Sequence, residues 1–203
     1  RAALLDRQGR RPEARAVQLQ LVDTLIAEGA LDEAQEALSR LTESGGNDLE
    51  TLRRVVHLAS EREDEETYCK HARMIVEIHK TAGDAEAALK QADLILTLRP
   101  DDPATLKLVA EVHAKAGSAD KAADAQRRRA AALRKGGERG EERAALEALL
   151  AQAPGDRESL ERLAALLYES GQAAAGAKRL DELAASCPPG ELEQSLRSLV
   201  IRF

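Results

Sequence analysis

Four histidines, His57, His71, His79 and His113, and two cysteines, Cys69 and Cys187, are the side chains of this sequence best suited to ligate a metal or carry a nucleophile. Their spacing argues against both. His71 and His79 are eight positions apart, which on a helix places them about 80° apart around the axis and two turns apart along it, so one metal would need a further helix. Cys69 and His71, two positions apart, face different sides. The cysteines show no C-x-x-C spacing, so neither a zinc site nor a disulfide framework is indicated, and a reducing, cytoplasmic setting fits. No glycine-rich phosphate loop, G-x-S-x-G or H-E-x-x-H occurs. The expectation is no enzyme, no catalytic residue, no cofactor and no metal.

Charge offers a second kind of chemistry. Arg127, Arg128, Arg129, Arg134 and Lys135 form the densest basic run. Three consecutive helical arginines fan over about 200° and do not address one surface, while cations at a helix C-terminus favour the dipole. No aromatic residue stands nearby to stack a base, and the net charge of −6 repels nucleic acid and anionic lipid. A solvated face is expected, and nucleic-acid binding is the weaker alternative. The run Glu61 to Glu66 carries five carboxylates in six residues and reads as a hydrated corner between helices, or as a surface for the basic run of a neighbouring molecule.

The elements that must position these groups are helices. The chain is 43% hydrophobic, 1% aromatic and 33% charged, a balance that fits helices packed through small side chains and argues against membrane insertion. An offset of 54 brings features into register without a gap: Gly9, Glu63, Gly117 and Gly171; Gly29, Gly83 and Gly137; Asp48, Asp102 and Asp156; Pro100 and Pro154. Thr51-Leu52 recurs as Thr105-Leu106 and Ser159-Leu160, and Ala14 as Tyr68, Ala122 and Gly176. Such a period signals stacked supersecondary units. The blocks are 49–102, 103–156 and 157–203, the last partial, preceded by most of one over 1–48. Each reads as three helices. In the block 103–156 they are expected near 103–116, 119–135 and 139–153, closed by Gly117, Gly136-Gly137 and Pro154-Gly155, with Ser118 and Asp156 as N-caps. Pro12 suits a first helical turn. At SEREDEE, 60–66, two readings stand: Ser60 and Glu63 form a capping box that restarts the helix, or one helix runs from 50 to 80.

These residues resemble tetratricopeptide repeats, a helix-pair family with a small residue at the turn, alanine in the second helix and proline at its end. The segment from Pro103 fits with Gly117 and Ala122, that from Arg157 with Gly171, Gly176 and Pro188, and a second register fits with Gly29 and Ala34 and with Gly83, Ala88, Ala92 and Pro100. Because the registers interleave, each middle helix serves two pairs. The resemblance implies an all-α, right-handed α-solenoid of about 11–12 stacked antiparallel helices over 1–203, and a start at Arg1 inside what reads as a helix leads to the expectation of a single segment taken from a longer protein. It also implies a protein partner, bound on a face formed by outward positions of first helices: Glu50, Arg53, His57, Lys70, Arg73, Glu77, Lys107, Glu111, Glu158, Glu161 and Tyr168. The asparagines of the carboxylate-clamp branch are missing there, the one Asn being Asn47. The Ala, Arg, Leu and Glu bias points to a bacterium, where similar proteins assemble secretion, pilus or cell-polarity machinery. Self-association through apolar helix edges such as Leu199, Val200 and Ile201 is the structural alternative.

Overall fold

A turn of one type, repeated, organises the chain. At Gly117 the backbone enters the left-handed region with φ +73°, the Gly117 amide donates to the Ala114 carbonyl at 3.1 Å and the Ser118 amide to the His113 carbonyl at 2.9 Å. Glycine bears no Cβ penalty there, and the paired bonds satisfy the carbonyls a helix end leaves orphaned. The same amide-to-carbonyl pattern returns at Gly29, Gly83, Gly137 and Gly171.

Between these turns the computed structural model, which describes residues 9–43 and 48–186, places ten helices among the described residues. They are α1 (Arg11–Ala27), α2 (Leu31–Glu43), α3 (Leu49–Glu61), α4 (Glu65–Ala82), α5 (Ala85–Leu98), α6 (Pro103–Lys115), α7 (Ala119–Gly136), α8 (Arg139–Gln152), α9 (Arg157–Glu169) and α10 (Ala173–Ser186). No strand occurs among the described residues. The architecture is all-helical and tetratricopeptide-like, and the expected bounds of α6, α7 and α8 hold to within one residue. Expectations for Asn47, Cys187, Pro188, Leu199, Val200 and Ile201 fall outside the described residues.

Contacts divide the chain into two units, Arg1–Leu98 and Arg99–Phe203. In the first, α1 packs on α2 and α3, and α3, α4 and α5 pack in succession. One of its cores gathers Leu19, Val22, Ile26, Leu38 and Leu58. In the second, α6 to α10 pack each on the next, around Leu133, Leu146, Leu160, Leu163 and Leu167. Alanines fully buried at equivalent places, Ala34 and Ala88, let the helices approach closely.

Two expectations about α4 and α7 need correction. The stretch 60–66 holds neither a capping box nor a continuous helix. Ser60 lies within α3, and Glu63 takes the glycine's left-handed place at φ +55°, at a cost of about 1–2 kcal/mol for a residue with a Cβ. Asp64 is the cap, its carboxylate accepting the Thr67 amide at 3.0 Å. Ser118 does stand at the N-cap of α7, but its side chain makes no capping bond, so that helix start relies on backbone bonds such as Ala122 amide to Ser118 carbonyl at 3.0 Å.

Asp48, Asp102 and Asp156 cap α3, α6 and α9 by accepting the amides of Thr51, Thr105 and Ser159. Two of these caps are also clasped from the middle helix of the preceding block, Asp48 by Arg15 of α1 and Asp156 by Arg127 of α7 at 2.7 Å. Burial pushes the Asp156 carboxyl up, but the Ser159 hydroxyl and amide and the Arg127 guanidinium outweigh it and hold the group below its ordinary 3.8. A carboxyl depressed by folding stabilises above its unfolded pKa and loses that contribution as pH falls through the folded value. Asp156→Asn, which keeps a capping oxygen and loses the charge, is therefore expected to cost about 0.5–1 kcal/mol at pH 7. Urea unfolding repeated at falling pH should find the gap narrowing below pH 3.8 and closing only once pH has passed the lower folded value.

Candidate protein-binding groove

α7 and α9, both first helices of a pair in one of the two registers, flank a groove of about 290 Å³ in the second unit. α8 forms its floor. Ala130 and Ala131 keep the α7 wall low, Leu146 lies beneath, and Ser159 and Glu158 open the α9 wall. The charged lining is four cations, Arg127, Arg134, Lys135 and Arg162, against two carboxylates, Glu142 and Glu158.

Most of these charges are tied down. Arg127 spans Asp156 and Asp124, and the Asp156 hydrogen bond is the main reason its guanidinium is held more firmly protonated than usual. Arg162 Nε and Nη2 donate to Glu142 Oε1 and Oε2 at 2.6 and 2.8 Å, a bidentate pair whose Glu142 member is 2% exposed. That hydrogen bond raises the Arg162 pKa. Lys135 reaches Asp101 at 2.8 Å. Arg134 makes no ion pair with the described residues and stands exposed at the end of α7.

The basic run is thus not a plain solvated face. Arg128 donates to the Pro100 carbonyl at 3.1 Å, and Arg129 is 7% exposed, with Nη2 3.4 Å from Glu141. The offset of 54 explains the burial: Arg129 occupies the place of Ile75, a core residue of α4.

The residues singled out from the sequence are distributed over both units. Glu50, Arg53 and His57 are exposed on α3, His57 lying 3.7 Å from Glu61. On α4, Lys70 and Glu77 are exposed, Arg73 is half-buried, and Glu77 pairs with Lys80 at 2.7 Å. Lys107 is exposed and Glu111 half-buried on α6. On α9, Glu158 lines the groove, Glu161 accepts from Arg157 at 2.9 Å, and the Tyr168 ring lies over α10 so closely that a Cβ on Gly176 would come within 2.8 Å of it. Arg127, Ala131 and Arg134 were not on that sequence-derived face, although adding 54 to Arg73, Glu77 and Lys80 reaches them.

His71 Nδ1 bonds the Thr67 carbonyl at 2.9 Å, His79 lies 3.8 Å from Asp84, and Cys69 is buried. Among the described residues no group of three or more His, Cys, Asp or Glu side chains is placed to hold a metal, and no helix is long and apolar enough to cross a membrane.

No family model matches the chain, and no curated protein matches it. Solved structures do. MamA 41-end from Desulfovibrio magneticus RS-1 aligns at 12% identity over 89% of this chain and 95% of that one, with TM-score 0.29. A tetratricopeptide repeat protein from Parabacteroides merdae aligns at 14% identity over 86% and 80%, TM-score 0.29. PilW, a type IV pilus biogenesis factor, aligns at 14% identity over 89% and 97%, TM-score 0.30. The reading of the fold rests on the chain's own period and helix turns.

Proposed function

We propose that the chain is a non-enzymatic protein-binding scaffold, and that the groove between α7 and α9 takes an acidic segment of a protein partner. The observation that carries this is Arg134, exposed at the groove's edge and unpaired among the described residues, beside a lining of alanine and leucine. Small side chains leave room for a backbone, and the cations supply orientation and on-rate. Exposed Lys107 and half-buried Glu111 of α6 and exposed Glu158 of α9 belong to the same unit and extend the proposed contact; Glu50, Arg53, His57, Lys70, Arg73 and Glu77 form the corresponding proposal for the first unit. A role in bacterial secretion, pilus or polarity machinery, in the cytoplasm, is the finer form of the proposal and rests on composition and on the repeat resemblance alone. The chain's net charge of −6 weighs against nucleic acid as the ligand.

The test is capture from source lysate with three chains of equal helical circular dichroism: wild type, Arg134→Glu/Lys135→Glu, and Arg53→Glu/Arg73→Glu. A protein held by wild type and weakened about tenfold or more by the first variant supports the groove. Equal retention by that variant, with loss from the second, would move the site to the first unit.

A further inference from the structure

A second, differently built pocket lies in the first unit, where the C-terminal end of α3, the start of α4 and the C-terminal half of α5 meet. It encloses about 430 Å³. Its apolar side is Tyr68, half-buried, with Leu94 and Leu98, each 49% exposed and two of the three large hydrophobic side chains exposed among the described residues. Its rim is Glu63, Asp64 and Glu65. Glu61 and Glu66 flank the rim, and the one cation within the acidic run, Arg62, is turned to Asp32 of α2 at 2.8 Å.

What sets this pocket apart is where its residues stand in the repeat. Glu63 replaces the glycine found at 9, 117 and 171, and Tyr68 replaces Ala14, Ala122 and Gly176. Leu94 stands for Arg40 and Ala148, and Leu98 for Ser44 and Gln152. Four departures from the period, scattered over 36 positions of sequence, converge on one cavity. Three of them do not serve packing: the left-handed turn is strained by a side chain at 63, and Leu94 and Leu98 remain half in water.

We infer that this pocket is a docking site for a basic amphipathic peptide segment, one bulky apolar side chain entering between Tyr68, Leu94 and Leu98 while neighbouring lysines or arginines meet Glu63 and Glu65. Charge complementarity selects that occupant: an acidic anchor segment would meet a rim of like charge, and an uncharged one would leave it unused. The site differs from the groove between α7 and α9 in unit, in charge and in ligand.

The probe is a short fluorescein-labelled peptide of lysine and alanine with one central leucine, measured by anisotropy on the full chain. Two controls replace the leucine by alanine, or the lysines by glutamate. The leucine–lysine peptide should bind about tenfold or more tighter than either control. Tyr68→Ala/Leu94→Ala installs the residues of the 103–156 block, Ala122 and Ala148, and should lose the same factor; Glu63→Gly/Glu65→Ala, matching Gly117 and Ala119, should lose several-fold with helical circular dichroism unchanged. Binding equal to either control, binding retained by both variants, or no binding of the lysine peptide at millimolar concentration would overturn the assignment. So would a sedimentation mass that rises with concentration in wild type and stays monomeric in the Leu94 variant, since the pocket would then hold a second copy of the chain.

Discussion

Leucine in place of Arg162 should destabilise the chain by about 3–5 kcal/mol, whereas the double change Glu142→Ala/Arg162→Leu should leave it within about 1 kcal/mol of wild type or more stable. The reason is the asymmetry of a buried ion pair. Glu142 is 2% exposed, and Arg162 supplies both of its close donors, at 2.6 and 2.8 Å. Removing the guanidinium alone strands a carboxylate that water does not reach. Removing both members takes away the desolvation cost together with the attraction, and the repeat already contains the apolar solution: 54 positions earlier stand Ala88, fully buried, and Leu108, half-buried. Urea unfolding followed by circular dichroism separates the cases. If the double variant falls as far as the single one, the pair contributes net stability here and its role is packing. If the double variant holds its stability yet loses partner binding, Glu142 and Arg162 serve the groove they line.

The same offset explains what could be read before the structure and what could not. Turns were legible because a left-handed helix end nearly demands glycine, and Gly29, Gly83, Gly117, Gly137 and Gly171 announce it. The caps Asp48, Asp102 and Asp156 were legible for a similar reason, each three positions before a Thr or Ser whose amide it accepts. Glu63 was legible only in part: the offset sets it beside Gly9, Gly117 and Gly171, but a glutamate three after a serine reads as a capping box, and the backbone shows that it has taken the glycine's conformation instead. In the basic run, local charge density concealed repeat position: three adjacent arginines read as surface, while alignment with Ile75 puts the last of them in the core. Groove residue Arg127 lies 54 positions after Arg73 of the sequence-derived face, whereas Arg134 lies 54 after Lys80, which is not on it, and the density of the basic run hides both correspondences. The exposure of Leu94 and Leu98 depends on which side of α5 its neighbours leave open, and helical periodicity on one element carries no such information.

The second large effect runs in the opposite direction. Gln126→Ala/Arg129→Ile, which copies Ala72 and Ile75 of α4 into α7, should stabilise the chain by about 2 kcal/mol and raise Tm by about 5 °C. Both native side chains are 7% exposed, and each carries an orphan: neither Gln126 Oε1 nor Arg129 Nε has a hydrogen-bond partner among the described residues. An unsatisfied buried polar atom costs about 1–3 kcal/mol. Among the described residues the ion pair given up is Arg129 with Glu141 at 3.4 Å, to a carboxylate 64% exposed, and contacts of that kind contribute about 0–1 kcal/mol. Loss of the arginine stem subtracts some packing, which isoleucine largely restores. A thermal melt decides the sign. A higher Tm means that α7 carries polar residues at two core positions to the detriment of its own stability. A Tm lowered by several degrees would mean that the orphan atoms are satisfied in solution, and that the α7 interior is polar because something polar occupies it.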